Sequence, residues 1–132
     1  MKKKLLSLLL SAVMLLAVVP AVSAAGSGYT DVADGVWYTD AVNYVTERNL
    51  MDPVNSTTFS PNTDASRAAL AVALYRAAGS PTMGTADFTD VPAGSPYASA
   101  AAWAKANGVI AGYDDGRFGP DDPITREQLV AI

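Results

Sequence analysis

The stretch YTDV at residues 29–32 returns as FTDV at residues 88–91, 59 positions further along the chain. The same offset holds without a gap between 29–73 and 88–132, where ten of the 45 aligned positions are identical. A fixed register over that length indicates one structural unit written twice. Beyond the opening motif, the identical pairs are Gly35 and Gly94, Tyr38 and Tyr97, Ala41 and Ala100, Phe59 and Phe118, Pro61 and Pro120, Arg67 and Arg126, and Leu70 and Leu129.

Each unit predicts a helix, a loop and a second helix, which makes the fold class all-α. In unit one, apolar and aromatic side chains recur near the spacing of one helical face, and Pro53 stops that helix. Ser66 is the predicted cap of the second helix, which ends near Gly79. The first face consists of Trp37, Ala41, Tyr44, Val45 and Leu50, and the second helix carries Leu70, Ala73, Leu74 and Ala77.

Unit two follows the same plan. Its first helix ends at Gly108, and the loop GYDDGRFGP follows at residues 112–120. Thr125 opens the last helix, and Gln128 stands three residues later, which is the spacing of a capping box. The apolar and aromatic positions of the first helix are Tyr97, Ala100, Ala101, Trp103 and Ala104.

The repeat also predicts domain boundaries. We assign repeat one to residues 25–81, a linker to 82–87 and repeat two to 88–132. The counterparts of Leu74 and Gly79 would fall after Ile132, so we expect repeat two to lack the end of its last helix. Stacked units cover one another's apolar faces, and we therefore expect a further repeat or self-association to complete the packing.

Residues 1–24 have the three-part order of a secretory signal peptide: a lysine-rich start, an apolar run over 5–19 and small residues before the cleavage point. The apolar run is shorter than the roughly 20 residues that a membrane-spanning helix needs. We expect cleavage after Ala24, with cleavage after Ala25 as the alternative, and no membrane attachment afterwards. An uncleaved anchor is the competing interpretation.

The composition excludes several classes of function. Without residues 1–24 the chain has six basic and 13 acidic side chains, a net charge of −7 and no basic cluster. This balance disfavours nucleic acid and anionic membranes as partners. The sequence has no Cys and no His, so thiolate nucleophiles, imidazole triads and Cys/His zinc sites are excluded.

The acidic residues predict neither catalysis nor a metal site. The only two glutamates are Glu47, in a helix, and Glu127, in a capping turn, and the spacing does not place a pair of carboxylates across one cleft. The sequence DDG at 114–116 lacks the alternating acids and the distal Glu of a calcium loop. We therefore expect no enzyme activity, no cofactor and no metal.

These motifs resemble the S-layer homology (SLH) domain family. Its pattern is an aromatic-x-Asp-Val opening, a Gly-x-x-Asp-Gly-x-Phe-x-Pro loop and a helix that opens with Thr-Arg-Ala-Glu. Unit two has FTDV, GYDDGRFGP and ITREQ, whereas unit one has YTDV, TTFSP and ASRAA and so lacks the loop glycines and the glutamate. The resemblance implies helix-loop-helix repeats, usually three around a pseudo-threefold axis.

The resemblance also implies a function. SLH modules hold exported proteins on bacterial cell walls by binding secondary cell wall polysaccharide, often at a terminal pyruvylated sugar, in grooves between repeats. We therefore expect a protein that is secreted to the cell wall or S-layer. Two alternatives stay open: a structural S-layer subunit fragment that assembles with itself, and the anchoring end of a secreted wall-modifying enzyme.

By the same resemblance, the motif arginine is the main ligand contact: Arg126 and, in the less closely matched unit, Arg67. Each occupies the first position of a predicted helix, where a cation is unfavourable, so helix stability does not explain it. A guanidinium there can clasp a carboxylate with two parallel bonds. The alternative is a structural ion pair with Asp64, Asp121 or Asp122. The other predicted ligand residues are Thr125, Ser66, Tyr113 and Gly112.

A further group of residues is predicted to be structural. Asp31 and Asp90 each stand two residues after an aromatic residue and precede a short turn, which favours capping of that turn. Helical phase favours core packing for Trp103 and Tyr44, although aromatic rings can also stack on a sugar. The predicted structural residues are Asp31, Asp90, Trp37, Trp103, Phe59 and Phe118.

Overall fold

The computed structural model describes residues 26–132, so the predicted signal peptide lies outside the described residues. Four helices follow one another along the chain: α1 (Thr39–Glu47), α2 (Arg67–Ala77), α3 (Ala98–Ala106) and α4 (Arg126–Ala131). Over this range the only strand-like pairings are two isolated bridges, Asn55 with Thr58 and Ser66 with Pro123. The predicted all-α fold class is confirmed. None of the helices in 26–132 has the length and apolar character needed to cross a membrane.

The second helix of each repeat begins where the sequence predicts. The Ser66 hydroxyl accepts a hydrogen bond from the Ala69 N–H at 3.1 Å, which caps α2. Thr125 accepts from the Gln128 N–H at 3.2 Å, and the Gln128 side chain accepts from the Thr125 N–H at 3.1 Å. The predicted capping box of α4 is therefore confirmed.

The first helix of repeat one is shorter than predicted. It begins at Thr39, whose hydroxyl donates to the Ala33 carbonyl at 2.8 Å, and within it only Thr39 and Val42 are buried. Trp37 precedes the helix and is 92% exposed, and Tyr44 is 52% exposed. The core packing predicted for Tyr44 is therefore wrong, and Trp37, predicted to be structural, lies outside the core, because α1 buries only a narrow face.

The core forms across the boundary between the repeats. Helix α2 of repeat one packs against α3 of repeat two, and small alanines on both helices let their backbones approach closely. Phe118 is fully buried and its ring centroid lies 5.2 Å from that of Phe88. Trp103 reaches across the boundary to Tyr75, with 6.1 Å between ring centroids. The buried core residues are Ala68, Ala71, Phe88, Val91, Ala98, Ala100, Ala101, Ala104, Ile110 and Phe118.

Candidate functional site at the junction of the repeats

The aspartate of each opening motif holds the distant loop of its own repeat. Asp31 accepts hydrogen bonds from the N–H groups of Phe59 (2.9 Å) and Ser60 (2.6 Å). Asp90 accepts from Phe118 (2.7 Å) and Gly119 (2.8 Å). These bonds span 28 and 29 residues, so they tie the start of each repeat to its loop, whereas the sequence predicted a cap on the adjacent turn.

These backbone donors favour the ionised carboxylates. The hydrogen bond from Phe59, assisted by that from Ser60, holds the pKa of Asp31 below its ordinary value against a smaller opposing effect of burial. Burial is the largest single influence on Asp90 and raises its pKa. The backbone bonds from Phe118 and Gly119, with smaller contributions from the Asp90 N–H and the charge of Arg117, together outweigh burial, so the pKa of Asp90 is lowered overall.

The loop of repeat two closes over the N-terminus of α2. The Arg67 N–H donates to the Asp122 carbonyl at 2.9 Å, and the Ala68 N–H donates to the Pro120 carbonyl at 3.0 Å. With Ser66 capping the Ala69 N–H, the first three N–H groups of α2 all have acceptors within the protein. This helix end therefore offers no free donors to an anion.

The Arg67 side chain is part of this closure. It is 5% exposed, and its Nε–H donates to the Phe118 carbonyl at 2.8 Å. The guanidinium carbon lies 4.7 Å from the centre of the Tyr113 ring and 5.5 Å from that of Phe118. The prediction of ligand contact for Arg67 does not fit this placement, because the next repeat buries the residue. Its partners are a carbonyl and two aromatic faces, and none of the three aspartates considered from the sequence accepts from its side chain.

Arg126 occupies the equivalent position in repeat two and is exposed. No hydrogen bond or ion pair engages its guanidinium within residues 26–132. Thr125 beside it uses its hydroxyl as the helix cap, as Ser66 does at α2. Of the two motif arginines, only Arg126 is open to a ligand here.

The loop of repeat two orders the remaining predicted ligand residues. Tyr113 is half-buried, and its ring centre lies 4.7 Å from the guanidinium carbon of Arg67 and 5.2 Å from that of Arg117. Gly112 has φ +88°, and a Cβ there would lie 2.6 Å from the Phe88 ring. The glycine is therefore required by backbone conformation and by the close approach of Phe88. Within the part of the chain that the structure describes, acidic side chains do not cluster in threes as a metal site would need.

A groove of about 250 Å³ lies between the repeats on another side of α2. Met51, Asp52, Val72 and Arg76 line it from repeat one, together with neighbouring alanines and Leu50, and Pro96 and Tyr97 line it from repeat two. Its surface is mainly apolar and carries one charged pair. The sequence pattern does not reveal this groove. Asp52 aligns with Ala111 and the counterpart of Arg76 would fall after Ile132, so the repeat does not mark either residue.

The charged pair of the groove has a fixed geometry. Arg76 Nη1 donates to Asp52 Oδ1 at 2.9 Å, and Nη2 donates to Oδ2 at 2.8 Å. Arg76 Nη1 also donates to the Asn49 carbonyl at 3.1 Å. The bond from Arg76 lowers the pKa of Asp52, and Asp52 raises the pKa of Arg76. The two side chains therefore stay charged and clamp α2 to the segment that follows α1.

The comparison with known families settles the class of the protein. Residues 28–71 and 87–130 each match the S-layer homology domain, one match on each copy of the repeat. This chain belongs to the SLH domain family. SLH domains are anchoring modules that attach surface proteins to the cell wall, and they are not catalytic. The family therefore indicates a location at the cell surface or wall.

The SLH chain spans less than a tenth of the length of each of three much longer proteins that it resembles. It is 30% identical over 105 residues to an amylopullulanase of Thermoanaerobacterium thermosulfurigenes, covering 79% of this chain and 6% of that protein. It is 32% identical over 109 residues to a surface-layer 125 kDa protein of Lysinibacillus sphaericus, covering 79% of this chain and 9% of that protein. A cell surface protein of Thermoanaerobacter kivui is 46% identical over 48 residues, which are 36% of this chain and 6% of that protein. No solved structure matches the chain.

Proposed function

We propose that this SLH chain holds an exported protein on a bacterial wall by binding secondary cell wall polysaccharide non-covalently, at a pyruvylated sugar. The observation that carries the proposal is the groove between the repeats, which combines an apolar surface, the Tyr97 side chain and the Arg76–Asp52 pair. Sugar rings have partly apolar faces and polar edges, and sites of this composition suit them. The groove and the family together support a glycan ligand.

Arg126 is the second proposed contact. Its exposed guanidinium can form two parallel charge-assisted bonds to a carboxylate, and a pyruvyl ketal supplies one. We propose that Thr125 and Tyr113 assist binding from the same repeat. Secretion after removal of residues 1–24 completes the proposal, because the ligand lies outside the cell membrane.

The direct test is sedimentation of the purified chain with wall sacculi. We expect the chain to pellet with native sacculi and to stay in the supernatant once acid extraction has removed the polysaccharide. Adding the released polysaccharide to intact sacculi should compete for the chain. Equal pelleting with native and extracted sacculi would contradict polysaccharide binding.

Self-assembly as an S-layer subunit is the second candidate function. Val130 is 87% exposed on α4 and Trp37 is 92% exposed before α1, so each repeat presents an exposed apolar side chain. Sedimentation velocity over a concentration series tests this candidate. Growth into large assemblies without polysaccharide would favour self-assembly, and a constant small species would leave anchoring as the function.

The similarity to an amylopullulanase is compatible with an enzyme as the anchored cargo.

A further inference from the structure

We infer that Arg76, oriented by Asp52, is the residue that binds a glycan carboxylate in the groove between the repeats. This inference rests on the proposed function. In this groove it assigns carboxylate binding to Arg76 and not to the arginine of the family motif. Neither Arg76 nor Asp52 belongs to a repeated motif of the chain. The assignment depends on which guanidinium N–H groups of each arginine are not already donated to an acceptor among the described residues.

The Arg76 guanidinium has one edge that the protein does not use. An arginine has five N–H donors, and three of those of Arg76 are taken by the two Asp52 oxygens and the Asn49 carbonyl. Asp52 engages Nη1 and Nη2, which is the end of the fork. The Nε–H and the second Nη2–H remain, and these two N–H bonds are parallel to each other along one side edge of the guanidinium plane. Two parallel donors of this kind match the two oxygens of one carboxylate.

Arg67 cannot supply this edge. Its Nε–H is already donated to the Phe118 carbonyl, and its planar group is covered by two aromatic rings. Arg67 also does not line the groove, whereas Arg76 and Asp52 both do. The side chain of Arg76 is 30% exposed, so it is reachable while the surrounding apolar residues limit its hydration.

Asp52 makes Arg76 a specific receptor and not a general attractor of anions. The bidentate pair fixes the plane of the guanidinium, which reduces the entropy that a ligand must remove on binding. The Asp52 carboxylate also offsets the positive charge of Arg76, so a simple anion gains little electrostatic attraction by binding to Arg76. A carboxylate held in register by its sugar, with the ring beside Tyr97, can use both remaining donors at once.

The glycan carboxylate has two possible chemical sources, a pyruvyl ketal and a uronic acid. Mild acid hydrolysis removes the ketal and leaves a uronic acid, whereas carbodiimide activation followed by borohydride reduction, applied after ketal removal, converts the uronic acid to an alcohol. Calorimetric titration of the purified wall polysaccharide fragment, untreated and after each step, therefore identifies the source. We expect the affinity of the unaltered chain to fall at least about tenfold at the step that removes the carboxylate.

The variants of choice are Arg76→Gln and Arg76→Lys. We expect Arg76→Gln to bind the untreated fragment roughly tenfold more weakly, and Arg76→Lys to recover only part of the loss, because an ammonium group lacks the planar fork. Arg76→Gln should also respond less than the unaltered chain to the treatment that removes the carboxylate. Arg48→Gln is the matched control: it removes the same charge four residues from Asp52, but Arg48 does not line the groove and stacks on Tyr44 instead.

Circular dichroism at the titration temperature shows whether each variant is folded, and the treatment series separates ligand contact from support of the fold. If the unaltered chain binds and Arg76→Gln keeps the same affinity and the same response to treatment, the inference is wrong while the proposed function stands. An equal loss in Arg48→Gln also overturns it, because the effect would then be general electrostatics. Failure of the unaltered chain to bind any fragment contradicts the proposed function itself.

Discussion

The two motif arginines occupy equivalent positions in the two repeats and have opposite surroundings. Arg67 at the start of α2 is buried under the loop of repeat two, and Arg126 at the start of α4 is exposed. The backbone differs in the same way: the first two N–H groups of α2 donate to loop carbonyls of repeat two, and those of α4 have no such acceptors among residues 26–132. The surroundings of this arginine therefore depend on whether a loop of another repeat covers its helix.

The loops that follow the first helices differ as well. At the position where repeat two has Gly119 with φ +71°, repeat one has Ser60 with φ +63°. Both residues donate an N–H to the aspartate of the opening motif, so the turn is preserved although one repeat has lost the glycine. The sequences have diverged while the backbone connection has remained.

The largest expected difference between the repeats is the effect of removing each arginine on stability. Arg67→Ala leaves the Phe118 carbonyl without its donor and empties the space between two rings, and we expect a loss of about 3 kcal/mol in the free energy of unfolding. Arg126→Ala removes an exposed cation from a helix start and should change it by less than about 0.5 kcal/mol. Urea unfolding followed by circular dichroism measures both; equal effects would contradict the assigned difference.

Binding should show the reverse order. Arg126→Ala is expected to weaken polysaccharide binding by about 1.5 to 3 kcal/mol, because a bidentate charge-assisted contact is lost. Arg126→Lys should restore only part of this. Calorimetric titration at a temperature where all variants are folded provides the measurement. Normal binding by Arg126→Ala would remove this residue from the proposed site.

The aspartates predict a dependence of stability on acid. The pKa of Asp90 is lower in the folded chain than its ordinary value, so its contribution is fully present above that ordinary value and is lost as the pH falls through the folded-state pKa. We expect unfolding on acidification below about pH 4. Asp90→Asn should cost about 1 kcal/mol at neutral pH and flatten the acid transition. An unchanged acid transition in Asp90→Asn would show that other carboxylates control it.

The smallest expected effect concerns the positive φ of Ser60. Ser60→Gly relieves an unfavourable backbone conformation but increases the freedom of the unfolded chain, and we expect a net gain of about 0.5 kcal/mol. Ser56→Gly, at an exposed position of the same loop without positive φ, is the control and should be neutral or destabilising. Thermal unfolding of the two variants side by side decides the point. A loss of stability in Ser60→Gly would mean that its side chain compensates the strain.

Local chemistry carried many of the correct predictions. The capping residues Ser66 and Thr125 and the helix following each of them depend on residues three or four positions apart, and the structure confirms them. The prediction of a first helix that includes Trp37 was wrong. The spacing of Trp37 and Tyr44 is that of a helical face, but it does not show whether another element covers that face.

The duplicated unit, the helical class, the caps and the family resemblance can all be inferred from the amino-acid sequence alone. The tertiary structure decided which motif arginine is buried, which loop each aspartate holds, and that Asp52 and Arg76, 24 residues apart, meet at a groove edge opposite Tyr97. Comparing the two repeats identifies the features that both units share. The burial of Arg67 and the Asp52–Arg76 pair are not such features, because they arise where the units differ or where they pack together. They depend on the packing of α2 against α3, which brings together residues whose separation along the chain has no periodic signature.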